Sequence, residues 1–235
     1  MSEIAEQFLA VQARVRAACE RVGRAVAGVE LIAVSKTFPA SDIAEVVGVG
    51  QRCFGESRLQ EAEPKIGELP KDLEWHFIGG VQRNKVRKIL PLFSYVHAVD
   101  SWKLAAYIDQ VAGELGLRPK IFLQVNQAGE VSKGGFAEAD LVAGLENFSG
   151  LRNVEVVGLM SIPPASESEE EARGWFRGLR ELRDRMEAGS ELRLGSLSMG
   201  MSGDFEVAIE EGATHVRVGS SIFGRRGYRV EGELG

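Results

Sequence analysis

The chain has 235 residues, 44% hydrophobic and 26% charged, with a formal net charge of −6. That balance argues against disorder, and no apolar run approaches the roughly 20 residues that a membrane-spanning helix needs. The acidic sum gives no general reason to bind nucleic acid, and two cysteines, Cys19 and Cys53, make neither a disulfide framework nor a cysteine metal knot.

The opening stretch, MSEIAEQFLAVQARVRAACERVGRAV, is charged throughout and has apolar positions at helical spacing from Ile4 to Val26. It predicts a leading amphipathic helix within residues 1–28, and its lack of an apolar signal core makes the cytoplasm the expected location. Short runs rich in Val and Ile then recur as LIAVSK, RCFGES, WHFIGG, YVHAVD, IFLQVN, VVGLMSI, SLSMGMS and HVRVG. Helical patterns fall between them near 41–49, 57–67, 81–90, 101–116, 137–147, 168–188 and 203–212, with a last short one from Ser221. Strands that are apolar almost throughout, separated by helices, predict parallel pairing with both faces covered. Eight such units predict closure into a single α/β domain over residues 1–235, a (β/α)8 TIM-like barrel with an extra N-terminal helix. An open doubly wound sheet is the competing arrangement, but no Gly-rich dinucleotide fingerprint follows the first strand. PPASESEEEAR (163–173) reads as a loop and an acidic helix start.

In such a barrel chemistry gathers where strands end and loops begin. Those positions carry Lys36, Glu56, Gly79, Asp100, Asn126, Ser161, the SMGMSGD loop (198–204) and VGSSIFG (218–224). The last two loops follow the seventh and eighth strands, a common phosphate site in barrels, and offer Gly200 and Ser202, then Gly219, Ser220 and Ser221. Ser and Gly are also ordinary N-caps, so either loop alone reads equally as a cap. Alternation along THVRVGSS turns His215, Arg217 and Gly219 toward the barrel axis, and Lys36 shares the side of Ile32 and Val34. Lys36 is then either an ion-pair partner of Glu56 or Asp100, or an amine poised to attack an aldehyde. A phosphorylated carbonyl compound would use all these features, and both pyridoxal 5'-phosphate (PLP) and a sugar phosphate qualify.

The motifs AVSKTFPASDI, FGESRLQE, EWHFIGGVQRNK, VNQAGEVSKGGF, GLMSI and LSMGMSGDFEVAIEEGATHVRVGSSIFG, in this order, resemble the pyridoxal-phosphate homeostasis family, single-domain PLP-binding proteins similar to the N-terminal barrel of alanine racemase. The resemblance implies a barrel with covalently bound PLP. It implies Lys36 as the Schiff-base lysine, Arg217 at the pyridine nitrogen, and Ser202, Gly219 and Ser220 around the phosphate. One departure is Ser57, followed by Arg58, where the family usually has asparagine after FGE; Ser57 is left outside the expected site.

An arginine at the pyridine nitrogen leaves the ring a weaker electron sink. The resemblance further implies that racemases take a tyrosine base from a second, β-rich domain, and Tyr228 is the only late tyrosine here. The expectation is therefore a non-catalytic protein of PLP homeostasis, a cytoplasmic monomer that carries the cofactor to apo PLP-dependent enzymes, with no nucleic acid or membrane partner. A PLP-dependent racemase or lyase acting through Lys36 is the alternative. His76, His97 and His215 lie on separate strands and read as buried barrel residues rather than metal ligands. QRNKVRK (82–88) reads as a solvated basic face that could also meet an anion or an acidic partner.

Overall fold

The computed structural model describes residues 1–130 and 134–224. Eight parallel strands close into one barrel in chain order: β1 (Glu30–Val34), β2 (Cys53–Glu56), β3 (Glu74–Phe77), β4 (Tyr95–Val99), β5 (Lys120–Val125), β6 (Glu155–Ser161), β7 (Ser196–Ser198) and β8 (His215–Val218). The seam closes where β1 pairs with β8, Ile32 lying opposite Arg217 and Ala33 opposite Val218. The sequence expectation of a (β/α)8 barrel with an extra N-terminal helix is met.

The helices are α1 (Glu3–Arg21), α2 (Ala40–Gly48), α3 (Leu59–Glu68), α4 (Val86–Ile89), α5 (Trp102–Leu115), α6 (Glu138–Ala143), α7 (Leu145–Ser149), α8 (Glu169–Ala188), α9 (Phe205–Glu210) and α10 (Ser220–Phe223). In α1 the stripe Ala5, Phe8, Val11, Val15, Ala18 and Cys19 is buried, at the spacing of one helical face, and packs on α2, α9 and α10. Arg14 to Glu206 and Arg21 to Glu210, both at 2.7 Å, tie its polar flank to α9. Both cysteines are free and buried.

Three boundaries differ from the sequence expectation. α1 stops at Arg21 rather than Val26, because Gly23 takes φ +65° while its N–H and that of Arg24 cap the carbonyls of Glu20 and Cys19, a Schellman arrangement. The pattern at 137–147 divides into α6 and α7 at Gly144. The stretch near 81–90 is a 3₁₀ turn, Arg83–Lys85, followed by the short α4. Three of its basic residues have local partners: Lys85 Nζ donates to Gln60 Oε1 at 3.3 Å, Arg83 lies over the Tyr107 ring and Arg87 pairs with Glu114. No helix among the described residues is long and apolar enough to cross a membrane.

Candidate functional site

The site begins where the apolar run of β1 stops. Ser35 opens a tight turn closed by the Phe38 N–H on the Ser35 carbonyl at 3.1 Å, and Lys36 and Thr37 form its tip. Thr37 has φ +71°, a left-handed conformation that a β-branched residue adopts only at a cost of about 1–3 kcal/mol. α3 holds the turn in place. The Thr37 N–H donates to Glu61 Oε2 at 3.2 Å, and Lys65 Nζ donates to the Ser35 carbonyl at 3.0 Å. Lys65 Nζ also reaches Glu56 Oε1 at 2.8 Å, where the Ser35 hydroxyl donates as well, at 2.8 Å. Glu56 is fully buried, which pushes its carboxyl up, and the Lys65 ammonium opposes that shift. The cation beside Glu56 is thus Lys65 from α3, a residue that the sequence reading passed over in favour of Lys36.

Arg217 enters from β8 and is buried. Its Nη2 donates to the Ser161 carbonyl at 2.9 Å and its Nη1 to the Ser198 hydroxyl. Two tethers fix the plane of the guanidinium and leave further N–H groups, since arginine carries five. Burial lowers its pKa to about 10, so it stays charged near neutrality.

Between β7 and α9, Gly200 adopts φ +87° with its α-carbon packed so closely that a Cβ would stand 2.5 Å from the Ala208 side chain. The loop is pinned by Asp204 Oδ1, which accepts the Met201 N–H at 2.6 Å; burial raises this carboxyl. Ser202 does not cap its own helix. Its Oγ accepts from the N–H groups of Gly219 at 3.2 Å and Ser221 at 3.4 Å, so the two final loops are joined and two backbone donors converge on one oxygen. Gly219 itself lies against β1, where a Cβ would meet Val34 at 3.3 Å.

These pieces surround one cavity of about 300 Å³ at the carboxyl end of the barrel, at the lower end of the range for small-molecule sites. Lys36, Ser202, Arg217, Gly219 and Ser220, the residues expected from the sequence, all line it. Ser57, left outside the expected site, lines it too, since two positions beyond Gly55 along the alternation turn it to the interior. Val34, Ile78 and Ile162 supply apolar walls that no polar motif could have announced. Asp100 lies apart, beside Trp102, Phe136 and Phe148 in a separate hollow. Tyr228 falls outside the described residues.

The three histidines expected in the barrel interior are buried, with His76 and His97 hydrogen-bonded to each other. Closure also brings Cys53, Glu74 and His76 together, their polar atoms within 4.8 Å of one another, a cluster that their separation along the chain concealed.

Residues 9–227 match the family described as alanine racemase, N-terminal domain. A pyridoxal phosphate homeostasis protein of Aquifex aeolicus is 43% identical over 224 residues, covering 95% of this chain and 98% of its own length. That of Pseudomonas aeruginosa is 46% identical over 230 residues, with 97% and 98% covered. The structure of PipY from Synechococcus elongatus with PLP bound superposes with a TM-score of 0.84 at 41% identity, spanning 94% of this chain and all of that one. With relatives this similar over nearly its whole length and the same barrel in space, the chain belongs to the pyridoxal phosphate homeostasis protein family, built on the alanine racemase N-terminal barrel.

Proposed function

We propose that this chain binds PLP in the cavity at the carboxyl end of its barrel, with Lys36 as the covalent anchor, and acts in PLP homeostasis as a cytoplasmic carrier and regulator of the cofactor rather than as an enzyme. The observation that carries this reading is the convergence of Lys36, Arg217, Ser202, Gly219 and Ser220 on one cavity. The relatives support it, being named for PLP homeostasis rather than for a reaction, as does the PLP-bound homologue.

The residues present fit the cofactor. Val34, Ile78 and Ile162 suit the faces and edges of a planar ring, and the hydroxyls of Ser202 and Ser220 beside the Gly219 backbone suit a phosphate, for which the long bonds from the Gly219 and Ser221 N–H groups to Ser202 Oγ would be exchanged. When bound, PLP supplies an aldehyde that condenses reversibly with the Lys36 amine to a Schiff base, the carbonyl oxygen leaving as water. Arg217 only donates, so it selects an acceptor at the ring nitrogen and disfavours a proton there, which restrains carbanion chemistry. Ser57, with a shorter side chain than asparagine, lines the same wall as Ile78. The apolar stripe of α1 is spent on its own barrel, which supports a monomer, and residues 1–235 act as one PLP-binding domain with apo PLP-dependent enzymes as recipients.

Borohydride reduction of the PLP-incubated protein followed by peptide mass spectrometry is expected to place one adduct on Lys36. Lys36→Ala is expected to lose both the adduct and the visible absorbance band. An adduct on another lysine alone, or a band that survives Lys36→Ala, would overturn the assignment. Rapid Lys36-dependent α-proton exchange of an amino acid in deuterated water would replace the carrier with the racemase or lyase alternative.

A further inference from the structure

The inside of this barrel is polar where barrels are ordinarily filled by branched aliphatic residues. A buried polar run of that kind is costly unless every member is satisfied. Here Glu74 Oε1 lies 3.1 Å from His76 Nε2, and His76 Nδ1 lies 2.9 Å from His97 Nε2. His97 Nδ1 lies 2.8 Å from Ser198 Oγ, which in turn receives Arg217 Nη1. The run begins at the partly exposed Glu74, where β3 starts, and ends at the cavity. Both imidazoles are clamped, His76 stacked on Tyr95 at 4.2 Å between ring centres and His97 against Phe122 at 4.4 Å.

The carboxylate end dictates its direction, and the arginine end is compatible with it. A guanidinium can only donate, so Ser198 Oγ accepts at that link on one lone pair and keeps its own hydrogen for His97 Nδ1. His97 then carries its proton on Nε2 and donates to His76 Nδ1. His76 in turn carries its proton on Nε2 and gives it to the carboxylate of Glu74, which can only accept. The opposite order would leave a lone pair of His76 facing the Glu74 oxygen. Burial holds both imidazoles in the neutral form that this order requires, and the hydrogen bond from His76 holds Glu74 below the usual carboxylate range. The surrounding groups agree with it. Cys53 Sγ, 3.2 Å from His76 Nε2, is a second acceptor of the same proton, and burial pushes its thiol well up. The Lys120 ammonium is held by the Tyr95 hydroxyl at 2.9 Å and adds positive charge beside Glu74, and His215 is occupied by Thr214 Oγ1 at 2.8 Å. The cluster of Cys53, Glu74 and His76 is therefore explained by hydrogen bonding.

We propose that Glu74, His76, His97 and Ser198 are positioning residues for Arg217, a hydrogen-bond chain of single polarity that crosses the barrel interior and sets the orientation of the guanidinium presented to the cofactor. The role toward the cofactor rests on the PLP reading above, whereas the polarity of the chain does not. Nitrogen-15 NMR of the ligand-free, histidine-labelled protein is expected to show Nε2–H tautomers at both His76 and His97; an Nδ1–H tautomer at either overturns the chain. In the PLP-loaded protein, Ser198→Ala is expected to move the visible absorbance band and weaken cofactor binding about tenfold, the scale of a lost hydrogen bond to a charged group. Glu74→Leu, at the far end of the barrel and partly exposed, is expected to move the band in the same direction by less. Glu74→Gln keeps an acceptor for His76 and is expected to match the wild type. Wild-type bands and affinities in both Ser198→Ala and Glu74→Leu would overturn the positioning role, while failure of the wild type to form any trapped Lys36 adduct would overturn the PLP reading instead.

Discussion

Lys65→Met is expected to lower folding stability by about 3–5 kcal/mol, the cost of removing one partner from a buried ion pair. The ammonium it deletes sits 2.8 Å from the fully buried Glu56 and 3.0 Å from the Ser35 carbonyl. Glu56 keeps only the Ser35 hydroxyl at Oε1, and its Oε2 has no hydrogen-bond partner. Burial already pushes this carboxyl up against the opposing effect of Lys65, so without that cation it holds a proton more readily still. The penalty is accordingly greatest in alkaline buffer and shrinks in acid. Urea unfolding at several pH values checks this. The double variant Lys65→Met/Glu56→Leu, which removes the stranded charge, is expected to recover much of the loss. A single variant as stable as the wild type would show that the pair contributes nothing. A second reading of the same variant concerns the turn at Lys36. With one of its two α3 tethers gone, the strained Thr37 conformation is expected to relax, and the proposed Schiff-base formation at Lys36 to weaken together with stability.

Acidification is expected to destabilise the protein well before its carboxylates titrate. In the unfolded chain the imidazoles of His76, His97 and His215 take up protons near pH 6.5, roughly the free value. In the barrel, burial holds all three below that, His97 well below and His215 at about 3. The unfolded state therefore binds more protons once pH falls under the free value, so stability is full above it and declines below it. His215 alone costs about 1.4 kcal/mol per pH unit between the two values, and the other two act in the same direction. Glu30, Glu56 and Asp204, raised by burial, bind protons more readily when folded and offset part of the decline as pH falls through their raised values. Denaturant midpoints across mildly acidic pH test the slope, and His215→Phe is expected to flatten it by about one proton. A midpoint that stays level from neutral into mildly acidic buffer would contradict it.

Much of this architecture was legible in the residues because parallel strands buried on both faces announce themselves as short apolar runs, and eight of them in order leave few ways to close. The mouth of the barrel was legible for a related reason. Polar residues such as Lys36, Arg217 and Ser202 stand out where an apolar strand ends, and alternation says which of them turn inward. The interior chain was not legible. Whether His97 of β4 meets Ser198 of β7 depends on the stagger between strands that are not sequence neighbours, and no single strand encodes that stagger. Lys65 was hidden differently. In LQEAEPKIGE it looks like any solvent-facing lysine of an amphipathic helix, and only the docking of α3 over the ends of β1 and β2 carries it to Glu56. Gly23 and Gly144 misled the helix boundaries because a glycine within an otherwise helical pattern marks a stop only when the backbone takes the capping turn.

Among the described strands the one that delivers Lys36 is synthesised first and the one that delivers Arg217 last, yet the two are hydrogen-bonded neighbours, with Ile32 opposite Arg217. A nascent or truncated chain lacking β8 holds the lysine without the guanidinium or the Gly219 loop. On the proposed site, cofactor affinity is therefore expected to report on whether β8 is in place. Because a ligand stabilises only the form that binds it, PLP is expected to act as a clasp at the seam, strengthening the barrel at the place where its two ends meet.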